Sequence, residues 1–522
     1  MPAAEAESQE EVIDLLSRAA TFGVESVEQV ETHASIVFVA GDHAYKLKKS
    51  LRYSYLDYSS AELRRAACAA EFEINRRFAP SLYLGVQPVV RSNDGDLRLN
   101  GEGSPVDWVV VMSRFDQEDQ FDRMAERHDL PIELMQPLAD RIAQVHDAAE
   151  IRPNFGGLDG LRKAIDITIE NLRLAVDHGL ARDDVEAWTD RTLQTLNAQA
   201  PLLERRRTSG HVRACHGDLH LQNICLFQGV PTLFDAIEFD PAISTTDTLY
   251  DLAFLLMDLH HRGLESHASA IFNRYLDRRD EVDGLAALPL FMSVRAAIRA
   301  QVTIAAARHH HEAGDVSGLI AQAQSYLALA LELLTPTAPR VVAVGGLSGT
   351  GKSTLAYRLA PSLASTPGAR VLRSDIIRKR MAGVTPETSL PPASYTRASH
   401  EETYRQLLDE ARTCLESARA VIVDAVFLNL AERVAVASLA RDAGVPFQGL
   451  WLEAPVDILE RRVLSRQNDA SDAQIDVLRQ QLTWGDRPTD WRRLNASEMP
   501  ADVADAALRA VQNLNGTEHG QL

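Results

Sequence analysis

The sequence predicts an α+β domain followed by an α/β domain with a parallel sheet. Short apolar strands and then a mainly helical stretch fill the first two thirds of the chain, whereas strands and helices alternate in the last third. Between these regions lies TPTAPR, whose two prolines cannot continue a helix. At 522 residues the chain is long enough for more than one domain. We therefore place the first domain at 1–335, a linker at 336–340, the second domain at 341–515 and a polar tail at 516–522.

The elements of the first domain follow from the spacing of its apolar residues, which changes from the period of a helix to that of a strand and back. In chain order we expect a helix within 9–22, three short strands in SVEQVET, SIVFVA and HAYKLKK, a helix near 60–78, a strand in VDWVVVMSRF, and helices from about 131 to 334 interrupted by a pair of strands around Ile224 and Phe234.

In the second domain we expect strands in VVAVGG, ARVLRSD, AVIVDAVF and FQGLWLEA, with helices between them. Strands that alternate with helices are typical of a parallel sheet, because parallel neighbours need a long crossover connection.

Composition excludes several classes of function. The net charge of -19 argues against a general binder of nucleic acid or of anionic membranes. The four cysteines lie far apart without a CxxC pair, so we expect buried, reduced thiols. The acidic N-terminus lacks the pattern of a signal peptide, and no apolar run approaches membrane-spanning length. We expect a cytoplasmic protein with no nucleic-acid or membrane partner, and the sequence does not indicate its oligomeric state.

A phosphate-binding loop is predicted directly after the first strand of the second domain. The segment fits GxxxxGK[ST] and consists of Gly346, Leu347, Ser348, Gly349, Thr350, Gly351, Lys352 and Ser353, to which we add the next residue, Thr354. Glycines let the backbone turn tightly and present its N–H groups to phosphate oxygens, and the following helix adds its positive N-terminus. Lys352 can reach the β- and γ-phosphates of a nucleotide, and Ser353 can bind Mg²⁺.

Two aspartates near this loop are candidates for a catalytic base and a metal ligand. Asp375, in RSDIIRKR, is expected at the end of the second strand, where α/β sheets bind ligands and where it could accept the proton of an attacking hydroxyl. The alternative for Asp375 is a helix N-cap. Arg378 would then lie beside the phosphates or the substrate. Asp424 ends the strand in VIVDAVF and is expected to hold Mg²⁺ directly or through water, with a purely structural role as the alternative.

Arg462 and Arg466 have the spacing of one helical face, so they could close over the transferred phosphoryl group, or simply form a solvated basic face. With the loop and the two aspartates, this pattern resembles the small P-loop kinases of the gluconate kinase, shikimate kinase and zeta-toxin type over about residues 340–500. The resemblance implies a P-loop NTPase fold and transfer of phosphate to a small molecule.

The first domain contains HGDLHLQN at residues 216–223, which resembles the catalytic loop of the aminoglycoside phosphotransferase and choline kinase group. That group shares the protein-kinase fold, and the resemblance covers about residues 25–335. It implies that Asp218 is the base for the substrate hydroxyl and that Asn223 binds the metal on the nucleotide. Asp235 is the best candidate for a second metal ligand, with Glu238 and Asp240 as alternatives.

The same resemblance assigns residues upstream of that loop. Lys46, in AYK, would contact the phosphates. Lys48, whose side chain points to the same side of the strand, is the alternative for this role. Glu71 would be the helix carboxylate paired with this lysine, and residues 112–115 would form the hinge that holds adenine. One departure is that no GxGxxG loop joins the first strands, where residues 32–35 form a short polar turn. Asp247 and Asp251, in DTLYD, are expected to anchor the catalytic loop.

The two halves together resemble the bacterial family of bifunctional aminoglycoside phosphotransferase/ATP-binding proteins. The resemblance implies two sites that use ATP and Mg²⁺ and transfer phosphate to hydroxyls of small molecules such as sugars or aminocyclitols. An alternative is a small-molecule kinase in the first domain that is regulated by an ATP-binding sensor in the second. A toxin-like kinase that acts on a nucleotide sugar is a third, lower-ranked interpretation.

Overall fold

The computed structural model describes residues 8–53, 56–308, 313–465, 470–483 and 487–512. The chain divides into two compact units: unit 1 comprises Met1–Gly160 and Arg207–Asp251, and unit 2 comprises Leu161–Arg206 and Leu252–Leu522. This division does not coincide with 336–340, so the domain boundaries drawn from the sequence stay a prediction.

The helices and strands follow the order that the sequence patterns predict. The strands are β1 (Val27–Glu31), β2 (Ser35–Ala40), β3 (His43–Lys48), β4 (Arg52–Tyr53), β5 (Leu56–Asp57), β6 (Tyr83–Arg91), β7 (Leu97–Leu99), β8 (Ser104–Ser113), β9 (Val212–Ala214), β10 (Ile224–Phe227), β11 (Val230–Leu233), β12 (Thr245–Asp247), β13 (Val341–Gly346), β14 (Arg370–Arg373), β15 (Val421–Asp424), β16 (Phe447–Glu453) and β17 (Arg492–Asn495). The α-helices are α1 (Glu10–Ser17), α2 (Ala19–Phe22), α3 (Ala61–Phe78), α4 (Phe121–Glu126), α5 (Met135–Ala148), α6 (Gly157–Ala175), α7 (Arg182–Thr208), α8 (Pro241–Ser244), α9 (Thr248–His261), α10 (Glu265–Arg278), α11 (Leu288–Ala307), α12 (Ala313–Leu333), α13 (Lys352–Leu359), α14 (Ser374–Met381), α15 (Arg397–Glu416), α16 (Leu430–Asp442), α17 (Val456–Leu464), α18 (Ile475–Thr483) and α19 (Pro500–Gln512). Strands β6 and β17 are among those that the sequence analysis did not predict.

An antiparallel sheet of six strands, in the order β1-β2-β3-β8-β6-β7, begins unit 1. Alternating side chains of its strands enter the core, where Phe38, Leu47 and Val109 are fully buried. The same alternation puts Lys46 and Lys48 on the face opposite Leu47. Helix α3 packs on β6 and β8, and the hydroxyl of Ser60 caps its first turn by accepting the N–H of Leu63 at 3.4 Å. Lys46 and Lys48 of β3 therefore lie on the face of the sheet on which acidic residues of α3 can contact them.

Two short strand pairs in unit 1 carry the loop of the HGDLHLQN motif. Strand β9 pairs with β12, and β10 forms an antiparallel hairpin with β11. The motif occupies the connection from β9 to β10, and Asp235 follows β11 directly after Phe234. Both segments are thus held at the ends of short strands.

Unit 2 contains a parallel sheet in the order β14-β15-β13-β16-β17. All six residues of the central strand β13 are buried, as expected for a strand that is covered on both faces. Strand order reverses on either side of β13, so the glycine-rich loop after it lies at the topological switch point of the sheet. The predicted succession of an α+β region and an α/β region with a parallel sheet is confirmed.

Within the described residues, one segment, Val282–Ala307, is long and apolar enough to cross a membrane by length and composition. Its most apolar window is 67% buried inside the protein. Helix α11, which forms most of this segment, packs along α12, and a core helix meets the same criteria.

Candidate active sites

The loop HGDLHLQN brings its polar side chains together in unit 1. The Nδ2 of Asn223 donates to the main-chain oxygen and to the Oδ2 of Asp218, each at 2.9 Å. The Nε2 of His220 lies 3.2 Å from the same Oδ2. With its nitrogen directed at Asp218, Asn223 keeps its side-chain oxygen as an acceptor for a cation. The side chain of Asp218 is 38% exposed, so a ligand in solvent can reach its carboxylate.

Asp251, at the start of α9, holds the backbone of this loop. Its buried carboxylate accepts the N–H groups of Gly217 at 2.8 Å and of His216 at 3.2 Å. Gly217 adopts a φ of +85°, a conformation that favours glycine. Asp247 instead accepts the N–H of Leu249 at 2.8 Å. Both aspartates of DTLYD therefore make structural contacts, and Asp251 anchors the backbone of the loop.

Lys46 and Lys48 of β3 both form ion pairs with Glu71 of α3. The Nζ of Lys46 lies 2.8 Å from Oε1, and Lys48 contacts Oε2. Glu71 is fully buried, and burial by itself would raise the pKa of its carboxyl. The two lysines outweigh this effect and lower the pKa of Glu71 to about 2. Glu71 is therefore a charged partner of both candidate lysines.

The second carboxylate of each lysine distinguishes the two. Lys46 lies 2.7 Å from Oδ1 of Asp235, whose side chain is 46% exposed. Lys48 lies 2.5 Å from Oε1 of Glu238, which is 8% exposed and also accepts the hydroxyl of Tyr58 at 3.1 Å. The structure thus brings Lys46 together with the accessible carboxylate and Lys48 with the buried one. Asp240, the other alternative, caps α8 by accepting the N–H of Ala242.

Backbone bonds hold the Asp235 segment against the HGDLHLQN loop. The N–H of Phe234 donates to the carbonyl of Asn223, and that of Ile237 donates to the carbonyl of His216, each at 3.0 Å. Asp235 itself has a φ of +59° and donates its N–H to the hydroxyl oxygen of Tyr83 at 3.2 Å. Carboxylate and amide oxygens are the ligands that Mg²⁺ prefers, so this donor set fits the metal. We call Lys46, Glu71, Asp218, Asn223 and Asp235 the N-terminal site.

The predicted hinge at residues 112–115 ends β8. Its Ser113 donates a backbone N–H to the carbonyl of Leu82 at 2.8 Å, and the ring of Phe115 lies 5.3 Å from that of Phe234. Ser113 and Phe115 also line a cavity of about 420 Å³. In the turn at 32–35, the backbone N–H of Ser35 donates to the hydroxyl oxygen of Thr32 at 3.1 Å. The carbonyls of Thr32 and Ala34 in this turn accept bonds from the side chain and the backbone N–H of Lys49, directly after β3.

In unit 2, the glycine-rich loop after β13 has the backbone that its motif predicts. Gly349 and Gly351 adopt φ values of +87° and +84°. A Cβ on Gly349 would lie 2.8 Å from the carbonyl oxygen of Leu459, so only glycine fits there. Helix α13 begins at Lys352, whose Nζ donates to the carbonyl of Leu347 at 3.2 Å. The loop therefore ends on the positive N-terminus of a helix.

Asp424, at the end of β15, joins this loop to β14. Its Oδ2 accepts the hydroxyl of Ser353 at 2.5 Å and lies 3.4 Å from Nε of Arg373. Burial raises the pKa of Asp424, although Arg373 and Lys352 oppose that effect. A hydroxyl and a carboxylate fit Mg²⁺, and a divalent cation would favour the charged carboxylate. We call Lys352, Ser353, Asp375 and Asp424 the P-loop site.

Asp375 lies in a helix, which differs from the strand end that the sequence analysis predicted. Strand β14 stops at Arg373, and Asp375 is the second residue of α14. An acidic residue in a first helical turn is favoured by the helix dipole. The N-cap position belongs to Arg373, so the N-cap alternative is not adopted either. Arg378 lies 3.3 Å from the Asp375 carboxylate, and its guanidinium lies 5.0 Å from the ring centre of Tyr395.

Arg462, on α17, places Nη1 3.5 Å from the carbonyl oxygen of Gly349, beside the glycine-rich loop. Arg466 lies outside the described residues. A cavity of about 1570 Å³ is lined by the loop together with Asp375, Arg378 and Arg462. It is large enough for a nucleotide and a small acceptor together.

Comparisons with known proteins find a family match in each half of the chain. Residues 43–288 match the sequence model of the Phosphotransferase enzyme family, and residues 341–488 match that of an AAA domain. The chain contains one domain of each family. The phosphotransferase-family domain includes the N-terminal site, and the AAA-family domain includes the P-loop site. The predicted family resemblance is thereby confirmed.

Several relatives and solved structures are similar to parts of this chain. An uncharacterized protein of Mycobacterium tuberculosis is 28% identical over 470 residues, which cover 88% of this chain and 90% of that protein. The adenylyl-sulfate kinase of Myxococcus xanthus is 34% identical over 117 residues, 22% of this chain and 59% of that enzyme. The structure of a choline/ethanolamine kinase family protein from Mesorhizobium loti is 13% identical, covers 62% of this chain and 98% of its own, and has a TM-score of 0.39.

Sequence reasoning missed several residues of both domains. In the AAA-family domain, Arg373 precedes the predicted Asp375 and could have been found as the last residue of its strand. Asp472 accepts Nζ of Lys379 at 3.0 Å and the hydroxyl of Tyr395. No local motif marks Asp472, because its partners come from distant segments. In the phosphotransferase-family domain, Tyr83 was missed for the same reason.

Proposed function

We propose that the protein is an ATP- and Mg²⁺-dependent phosphotransferase with two sites, each transferring the γ-phosphoryl group of ATP to a hydroxyl of a small molecule such as a sugar or aminocyclitol. The observation that carries this proposal is that each family domain brings together a lysine, oxygen atoms that fit a divalent cation, and an aspartate that can act as a base. When bound, Mg²⁺ neutralises charge on the phosphates.

In the N-terminal site, Asp218 accepts the proton of the substrate hydroxyl. The oxygen of that hydroxyl attacks the γ-phosphorus of ATP, and ADP leaves. Asn223 and Asp235 offer oxygen ligands to the metal, and Lys46 orients the phosphates with Glu71 as its partner. Lys46 is preferred over Lys48 because it contacts the more exposed of the two carboxylates. Such a site contributes mainly position and charge, as phosphoryl transfer requires.

In the P-loop site, the amides of the loop and Lys352 hold the phosphates, while Ser353 and Asp424 support the metal. Asp375 is the candidate base, with Arg378 beside it at 3.3 Å. The similarity of 117 residues of the chain to an adenylyl-sulfate kinase supports transfer to an acceptor over simple hydrolysis. Arg462 can shield the transferred group from the side of Gly349.

The experiment separates the two sites in the full-length protein. Asp218→Asn and Lys352→Met are each assayed for transfer of radiolabelled γ-phosphate from ATP to a panel of sugars, aminocyclitols and amino alcohols. Loss of a base costs roughly 10²–10⁴-fold in rate. We expect each variant to lose a different set of products. Asp190→Asn and Lys163→Met, on exposed helix positions, serve as matched controls.

Loss of every product in one variant alone would rule out two independent sites. If Lys352→Met loses no product but changes the rate of the product that depends on Asp218, the AAA-family domain is a nucleotide sensor without an acceptor of its own.

A further inference from the structure

Helix α10 is bonded to the edge strand of the parallel sheet in unit 2. The outer side of β14 has no strand partner among the described residues, and its polar backbone groups would need other partners. Asn273 supplies them: its Oδ1 accepts the N–H of Val371 at 2.7 Å, and its Nδ2 donates to the carbonyl of Ala369 at 3.2 Å. Asn273 is fully buried, so a side chain of α10 replaces a neighbouring strand at this edge.

A buried ion pair fixes the first residue of the same strand. Arg370 donates to Oδ1 of Asp277 at 2.7 Å and to the carbonyl of Asn273 at 3.1 Å, both on α10. On its other side it donates to Glu410 of α15 at 3.1 Å. The side chains of Arg370 and Asp277 are 1% and 2% exposed. Removal of Asp277 would leave the buried guanidinium of Arg370 with Glu410 as its remaining carboxylate partner, which weakens the fixation of β14 by α10.

The last residue of β14 contacts the P-loop site. Arg373 lies 3.4 Å from the carboxylate of Asp424, which in turn accepts the hydroxyl of Ser353. A strand of four residues spans roughly 10 Å, so little chain separates the contacts of α10 from the carboxylate. The next helix carries Asp375. Any shift of β14 is therefore passed to both aspartates of the site.

A second contact of α10 reaches the rim of the cavity. Nη1 of Arg274 lies 2.7 Å from Oε1 of Glu387, and Glu387 lines the cavity together with Arg378 and Tyr395. Arg274 is adjacent in sequence to Asn273 and three residues before Asp277. One helix thus contacts both the strand that leads into the P-loop site and a residue at its opening.

We propose that Asn273 and Asp277 are positioning residues of the P-loop site, which fix β14 and, through Arg373, the carboxylate of Asp424. This proposal rests on the proposed kinase activity of that site. Helix α10 lies within the match to the phosphotransferase family, although its partners lie in the AAA-family domain. A cut at 336–340 would consequently remove two positioning residues from the P-loop site.

The test uses the full-length protein carrying Asp218→Asn, so that only the P-loop site turns over ATP. Asn273→Ala and Asp277→Ala are compared with Asp258→Ala, which removes a buried carboxylate of α9 that pairs with Arg262 just after that helix. ADP formation with water as the acceptor gives kcat and KM for Mg²⁺–ATP. Hydrogen exchange of the β14 and glycine-loop peptides reports local order.

Residues that orient metal ligands typically change activity by about 10–100-fold. We expect kcat to fall by about 10-fold or more in both variants, with KM changed less than about 3-fold because the loop amides stay in place. Exchange at Val371 should accelerate while the glycine-loop peptide stays protected. Asp258→Ala should change neither kcat nor the exchange of Val371.

Three results would overturn the proposal: faster exchange at Val371 with an unchanged kcat, unchanged exchange at Val371, or loss of protection throughout unit 2, which would indicate a purely structural role. Lys352→Met in the same background distinguishes failure of the proposed function. If it leaves ADP formation unchanged, the P-loop site is not the source of turnover and its catalytic assignment is wrong, while exchange at Val371 still decides whether α10 holds β14.

Discussion

Replacing Glu71 by Gln is expected to destabilise unit 1 by about 3 kcal/mol. Glu71 is fully buried and contacts two ammonium groups, those of Lys46 and Lys48. These lysines lower the pKa of Glu71 from 4.5 to about 2 against the opposing effect of burial. One pKa unit corresponds to about 1.4 kcal/mol, so the ionised carboxylate contributes about 3 kcal/mol. This agrees with the roughly 3–5 kcal/mol lost when a buried ion pair is broken.

The chain provides its own probes for this measurement. Cys68 is buried in the same helix as Glu71, and Cys414 is buried in unit 2, so pulse labelling of each thiol during a urea titration follows the two units separately. Glu71→Gln should lower the midpoint for Cys68 and leave that for Cys414 unchanged. The matched control is Glu73→Gln, which removes an exposed pair with Arg76 and should cost less than about 1 kcal/mol. Equal midpoints for Cys68 in the two variants would refute the reasoning.

Two further predictions concern pH and the glycine-rich loop. Because the folded-state pKa of Glu71 is below its ordinary value, its stabilisation is complete above about pH 4.5 and is lost as the pH falls towards 2. The difference in urea midpoint between wild type and Glu71→Gln, followed by circular dichroism, should therefore shrink below pH 4.5, and a constant difference down to pH 3 would contradict this. Gly349→Ala should weaken binding of a fluorescent ATP analogue to an Asp218→Asn protein by about 10-fold or more, because the new Cβ would lie 2.8 Å from the Leu459 carbonyl in a strained backbone. Gly444→Ala, with a similar φ of +65° and no atom within 4 Å of the new Cβ, should leave binding unchanged, and equal affinities of the two variants would exclude the clash as the cause.

The parts of the chain that the sequence predicts best are those whose contacts are local. The glycine-rich loop needs eight consecutive residues and the strand before it, so its motif and the apolar pattern of β13 predict it together. Alternation in HAYKLKK likewise predicts that Lys46 and Lys48 share one face of β3. The alternation cannot predict which of the two lysines contacts Asp235, because this contact depends on how a segment 189 residues further along the chain packs against the sheet.

Other features depended on side chains that no local pattern marks. Asn273 and Asp277 occur in an ordinary helical sequence, and their role arises only from contact with β14 some hundred residues later. Asp375 is predicted at a strand end because the strand predicted in ARVLRSD extends to that residue. The structure starts a helix at Ser374, since IIRKRM continues with residues that form helices readily and Asp375 suits a first turn.

The two sites differ in how the chain positions their phosphate-binding lysines, Lys46 and Lys352. In the N-terminal site, Lys46 is 25 residues from Glu71 and 189 from Asp235, so the lysine is oriented only when the sheet, α3 and the segment after β11 are all folded. In the P-loop site, the loop and Lys352 are one continuous segment, and only the carboxylates depend on distant support. Local loosening of unit 1 should consequently remove phosphate binding and catalysis together. Loosening of β14 should leave phosphate binding largely intact and reduce the rate of transfer, because it displaces Asp424 and Asp375 without moving the loop amides.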